Sequence, residues 1–97
     1  MTRPQAVPTV QIDNDRVKVT EWRFAPGAET GWHRHTMDYV VVPMTTGVLR
    51  IETSTGVFDN PLTAGVSYAR LTGVEHNVIN PGTEDFVFVE VELKPGT

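Results

Sequence analysis

The segment "PGAETGWHRHTMDYVVV" (residues 26–42) decides how the chain is read, because it sets two of the three histidines, His33 and His35, one residue apart ahead of a run of valines. Residues i and i+2 of a strand point to the same face, so the two imidazoles project side by side and could hold one ion. An H-x-H pair alone is a common accident, since most strand histidines are hydrogen-bonded core or surface residues. A metal reading therefore needs a third ligand from another strand. The remaining histidine, His76, lies in "GVEHNVIN" (73–80), which reads as a strand after a turn at Gly73. If the sheet closes into a small barrel, these distant strands can face each other.

The residues around this segment read as β-structure throughout. Seven prolines and eight glycines cut the chain into short stretches rich in Val, Thr, Phe and Tyr, and no 3.6-residue apolar stripe as long as a helix survives between them. Strands are predicted at 16–24, 38–43, 47–53, 65–71, 75–80 and 85–93, with turns near "PGAETG", "TSTG", "DNPLTAG", "LTG" and "NPGTED". In 85–93 the alternation puts Val87, Val89, Val91 and Leu93 on one face, expected to be core, and Phe86, Phe88, Glu90 and Glu92 on the other. In 16–24 the apolar positions change parity between Val19 and Trp22, which predicts a bulge or bend there. "YVVVPM" is apolar on both faces and should be buried on both, with Pro43 at its end.

The totals narrow the function. Ninety-seven residues make one domain, long enough for a single core. The net charge of −4 and the lack of a basic stripe argue against nucleic acid. With no cysteine, thiol catalysis and Cys-based metal sites are excluded, leaving nitrogen and oxygen ligands. No apolar run reaches the roughly 20 residues that span a bilayer, and "MTRPQAVPTV" has no signal-peptide core, so no membrane partner and a cytoplasmic location are expected. Short flexible tails are expected at both ends.

"PGAETGWHRH" with "TMDYVVVPMTTG" resembles the first cupin motif, with Gly27, His33, His35 and Gly47 at its spacings. "GVSYARLTGVEHNVIN" resembles the second, where Gly65, Gly73, His76 and Asn80 match and Leu71 replaces the usual proline. The resemblance implies a single all-β domain over 1–97, a cupin-type double-stranded β-helix or jelly-roll barrel, with motif 1 at about 27–47 and motif 2 at about 65–80. It further implies one divalent metal ion per chain, Fe, Zn, Ni or Mn, held by His33, His35 and His76, and a homodimer. The wider wording is similar to short bacterial cupins labelled as cytoplasmic proteins of β-alanine degradation.

The motif-1 glutamate is missing. Its place falls on Val40, or on Tyr39 at the shorter spacing. Asp38 shares parity with Val40 and is expected at the rim or behind a histidine. Tyr39 and Asp38 are the candidate proton donor and orienter. A three-histidine site carries a net charge of about +2, which favours a small polar or carboxylate metabolite. Two functions follow: a metal-dependent enzyme, an oxygenase being one form, or a non-catalytic module that binds or senses a small molecule. Arg70 could clamp an anion, Arg34 and Glu75 point away from the site, Trp22 and Trp32 read as core or dimer contacts, and Asn80 reads as a turn residue.

Overall fold

The C-terminal strand is the centre of the architecture. In the computed structural model, which describes residues 2–96, β9 (Phe86–Leu93) lies between β2 (Val17–Phe24) and β4 (Asp38–Pro43). β1 (Val7–Asp13) and β7 (Tyr68–Arg70) complete a five-stranded sheet of order β1-β2-β9-β4-β7. The facing four-stranded sheet has the order β3-β8-β5-β6, from β3 (His33–Arg34), β8 (Glu75–Ile79), β5 (Gly47–Thr53) and β6 (Gly56–Leu62). Every pairing between these strands is antiparallel. The two sheets enclose one core, the jelly-roll barrel that the motifs imply. No helix among the described residues is long and apolar enough to cross a membrane.

The interior has an apolar end and a polar end. Phe24, Leu49, Leu62, Phe86 and Phe88 fill the first, with the Phe24 and Phe88 rings 5.5 Å apart. Along β9 the inward residues run Phe86, Phe88, Glu90, Glu92, because their register partners are the inward Phe24, Trp22, Thr20 and Lys18 of β2. This corrects the expectation that the valine face is core. Val89 and Val91 are only half-buried, and Glu90 is buried instead. Two phenylalanines share parity with two glutamates, and the larger aromatic area determines which face turns inward.

The expected bulge in 16–24 is absent: β2 pairs with β9 in unbroken register, and the register shift lies on β1, between Val10 and Ile12. The parity change in β2 arises because Trp22 and Phe24 face the core while Val17 and Val19 form a half-buried outer face. Val40 and Val42 join that outer face and are half-buried, whereas Tyr39, Val41 and Pro43 are buried. "YVVVPM" is therefore fully buried on one side only. Strand 65–71 shrinks to Tyr68–Arg70. β1 and β6 are strands where none was expected, and "DNPL" belongs to β6 rather than to a turn.

The N-terminal segment is anchored, not a free tail. Ala6 N–H donates to Glu29 O at 2.8 Å, Glu29 N–H donates to Pro4 O at 2.9 Å, and Ala6 is buried. Met1 and Thr97 of the expected tails lie outside the described residues. Asn80 is likewise more than a turn residue. It is buried, its Nδ2 donates to Phe24 O and Glu84 O at 3.2 and 2.8 Å, and its Oδ1 accepts from Gly82 N–H at 3.0 Å.

Candidate metal centre

His33 and His76 are direct partners across β3 and β8, so their side chains leave the same face of the sheet. His35 follows two residues later, and its backbone is tied to the 73–74 turn: His35 N–H donates to Val74 O and Gly73 N–H donates to His35 O, both at 2.8 Å. Gly73 has φ +94°, a left-handed conformation that glycine adopts without strain and that closes this turn. The three rings converge at the polar end of the interior. His33 Nε2 lies 3.0 Å from His35 Nε2, which lies 3.2 Å from His76 Nε2.

A hydrogen bond sets the orientation of the His33 ring. His33 Nδ1 is 2.9 Å from Gly31 O. A carbonyl only accepts, so Nδ1 carries a proton, and Nε2 is the nitrogen turned toward the other two rings. Gly31 N–H donates in turn to Asn77 Oδ1 at 2.9 Å, and Asn77 Nδ2 donates to Glu29 and Glu52 carboxylates at 2.8 and 2.9 Å. His33 is thus aimed by a chain of contacts running to the outer face of the sheet. Burial, reinforced by the charges of His33 and His76, lowers His35 to a pKa of about 4. Burial, with His33 and Arg70 beside it, lowers His76 to about 4 as well. Both rings are neutral at pH 7, and neutral imidazoles are the form that binds metal.

Converging lone pairs repel unless something positive lies between them. A donor set of imidazole nitrogens at this spacing fits a divalent ion with bonds of roughly 2.0–2.1 Å. The three residues fit the group on that observation, and all their donor atoms lie within 4.8 Å of one another.

The other two sequence candidates part company. Tyr39 is buried and its ring stacks on His35 with centroids 3.9 Å apart and planes 18° apart. Burial and the nearby Glu90 push its phenol above the usual range. Asp38 lies on the outward parity with Val40, exposed, and its Oδ1 accepts from Thr72 N–H at 2.8 Å. It braces the loop that carries Gly73 and is not brought to the histidines. The inward residue at the missing glutamate's place is the aromatic Tyr39, which offers no carboxylate there.

Carboxylates enter from a different strand. Glu90 is 8% exposed and, with Glu92, stands within 4.8 Å of a His35 nitrogen. Burial, with Glu92 next to it, pushes the Glu90 carboxyl up to about 7. A cavity of about 230 Å³ opens between Trp22, Thr30, His33, His35, Glu90 and Glu92. A second, of about 140 Å³, reaches His76 beside Phe58, Tyr68 and Arg70, with the Arg70 guanidinium 4.5 Å above the Tyr68 ring. A groove of about 550 Å³ between Thr45 and Asp85 lies away from the histidines. The acidic wall is not legible in the sequence because glutamates alternating with valines assign the valine face to the core. The signal for it was their shared parity with Phe86 and Phe88. Trp22, expected as core or dimer contact, lines the 230 Å³ cavity, and Trp32 is exposed.

The chain belongs to the cupin family: the cupin-domain model matches residues 20–92. It is 65% identical over 92 residues, 95% of this chain and 97% of the relative, to the beta-alanine degradation protein BauB of Pseudomonas aeruginosa. A cupin domain from Bordetella pertussis Tohama I superposes with a TM-score of 0.97 at 70% identity, covering 98% of this chain and 99% of that one. An uncharacterized double-stranded β-helix protein from Klebsiella pneumoniae, 24% identical with a TM-score of 0.77 over 100% of this chain and 83% of its own, shares the fold.

Proposed function

We propose that this cupin is a metal-dependent protein acting on a small carboxylate-bearing metabolite, with His33, His35 and His76 holding one divalent ion, Fe, Zn, Ni or Mn. The observation that carries this reading is the convergence of three histidine Nε2 atoms, with successive separations of 3.0 and 3.2 Å. When bound, the ion supplies Lewis acidity and a template for the metabolite's carboxylate, and with Fe(II) also the means for oxygenation. Tyr39 is a positioning residue that fixes the His35 ring by stacking. Asp38 acts further back, by holding the Thr72–Gly73 turn against the His35 carbonyl. The BauB relative's name refers to β-alanine degradation, and β-alanine carries a carboxylate of the kind such a site would take.

Protein produced without an affinity tag under anaerobic conditions should retain about one divalent ion per chain by elemental analysis. Iron together with substrate-dependent O2 uptake would select the oxygenase form. Content near zero after reconstitution with each of the four ions would sink the metal reading and leave the binding-module alternative.

We also infer that two copies pair through the outer face of the five-stranded sheet. Val17, Val19, Val40, Val42, Val89 and Val91 are half-buried there, where an antiparallel sheet open to water would carry polar residues. Sedimentation should give two chains for the native protein and one for Val91→Lys. A single-chain mass for the native protein would refute the pairing.

A further inference from the structure

The wall of the 230 Å³ cavity opposite the histidines has a composition that the three-histidine reading does not use. Glu90 and Glu92 come from the inward face of β9 and Trp22 from the neighbouring β2, with Thr30, Arg34, Val78 and Phe88 also lining the cavity. We propose that this wall is the subsite for an alkylammonium group, so that the metabolite taken by the centre is a small amino acid whose ammonium meets Glu90, Glu92 and Trp22 while its carboxylate meets the metal. Only the carboxylate half rests on the metal reading.

Glu90 points to a ligand because of its isolation. It is 8% exposed, yet among the described residues it has neither a hydrogen-bond nor an ion-pair partner, and Glu92 has none either. Among the described residues, no buried side-chain oxygen or nitrogen is cut off from both partner and solvent. The Glu90 oxygens therefore open onto the cavity. A carboxylate withdrawn from bulk water without a partner is costly, and the cost is offset when a cation docks against it.

The surroundings select the kind of cation. Lys18 is the register partner of Glu92 but forms no ion pair within 4.0 Å among the described residues. Arg34, not Lys18, lines the cavity, so with both glutamates ionised one guanidinium leaves a single net negative charge there, matched by one ammonium. Trp22 adds an aromatic face, to which ammonium groups are attracted. Phe88 and Val78 beside it suit a short alkyl chain. An anion placed in the same cavity would face both glutamates, so the wall also discriminates against simple carboxylates lacking the amine. A second metal ion at His35, Glu90 and Glu92 is the rival occupant, since those donor atoms lie within 4.8 Å. His35 Nε2 is already turned toward His33 and His76, which leaves that rival two carboxylates and no committed imidazole.

The test uses three probes on the native chain and on Glu90→Gln and Glu92→Gln: propylamine, propanoate and 3-aminopropanoate, with 1-propanol as the neutral control. In metal-free native protein, propylamine should shift the Trp22 indole N–H resonance where propanol and propanoate at equal concentration do not, a comparison that requires no variant to fold. In metal-loaded protein, 3-aminopropanoate should bind at least about tenfold more tightly than propanoate, as expected for charge-assisted contacts. Either glutamine variant should bring that ratio near one without weakening propanoate. Propylamine binding no better than propanol overturns the subsite, as does a tenfold preference that survives both substitutions. A second equivalent of metal that is lost in the variants also overturns it, in favour of the rival ion. Failure of the three-histidine reading has a separate signature, no bound metal and no propanoate response, while the propylamine response persists.

Discussion

Replacement of His35 by alanine is expected to reduce bound divalent metal from about one ion per chain to below about a tenth after dialysis, with affinity falling by more than about 100-fold. His35 is the ligand to remove because its Nε2 is the one in contact with both other histidines, at 3.0 and 3.2 Å. Two imidazoles left on paired strands form a far poorer site than three. His35 is also buried against Tyr39, so unchanged far-ultraviolet circular dichroism must accompany the loss if it is to be read as ligation. Asp38→Asn provides the contrast. Its carboxylate holds a loop amide, so that variant should retain metal near the native level. Stoichiometric metal at native affinity in the His35 variant would refute the proposed centre.

Phe24→Ala should destabilise the domain by about 3–5 kcal/mol, the range for deleting a fully buried phenyl ring. Phe24 is 0% exposed, packs against Phe88 at 5.5 Å and Trp22 at 6.4 Å, and sits where the two sheets close on the apolar end. A domain of this length has a total stability of roughly 5–15 kcal/mol. Much of that margin would be lost, and urea unfolding should show a midpoint shifted steeply downward with little change in slope. A loss below about 1 kcal/mol would mean that the core can close over the missing ring and that Phe24 is not its keystone.

Some of this molecule is written locally in the chain and some is not. β4 and β5 fall on the residues expected, 38–43 and 47–53, because turn residues bracket them and their alternation is clear. The histidine cluster is legible because pairing His76 with His33 needs only motif spacing and strand parity. β1 and β6 are illegible for a shared reason: Pro8 and Pro61 break the pattern, and edge strands tolerate proline since one side of the strand needs no ladder bonds. The inward glutamates are illegible because the rule that valine turns in and glutamate turns out fails where the interior is also a binding site. Asn77 and Asn80 are illegible for the same reason. Nothing local marks a polar residue as buried when its partners lie on distant segments.

The position of β9 governs how the chain can be made. β2 and β4 do not pair with each other, and each forms its ladder with the last strand. A chain emerging from the ribosome therefore has no template to complete the five-stranded sheet until Phe86–Leu93 is synthesised, and until then two valine-rich strands present open edges to the cell. The half of the interior that carries Glu90 and Glu92 does not exist before that moment. Closure of the five-stranded sheet therefore waits on β9, and the wall opposite the histidines is delivered after the strands that carry them.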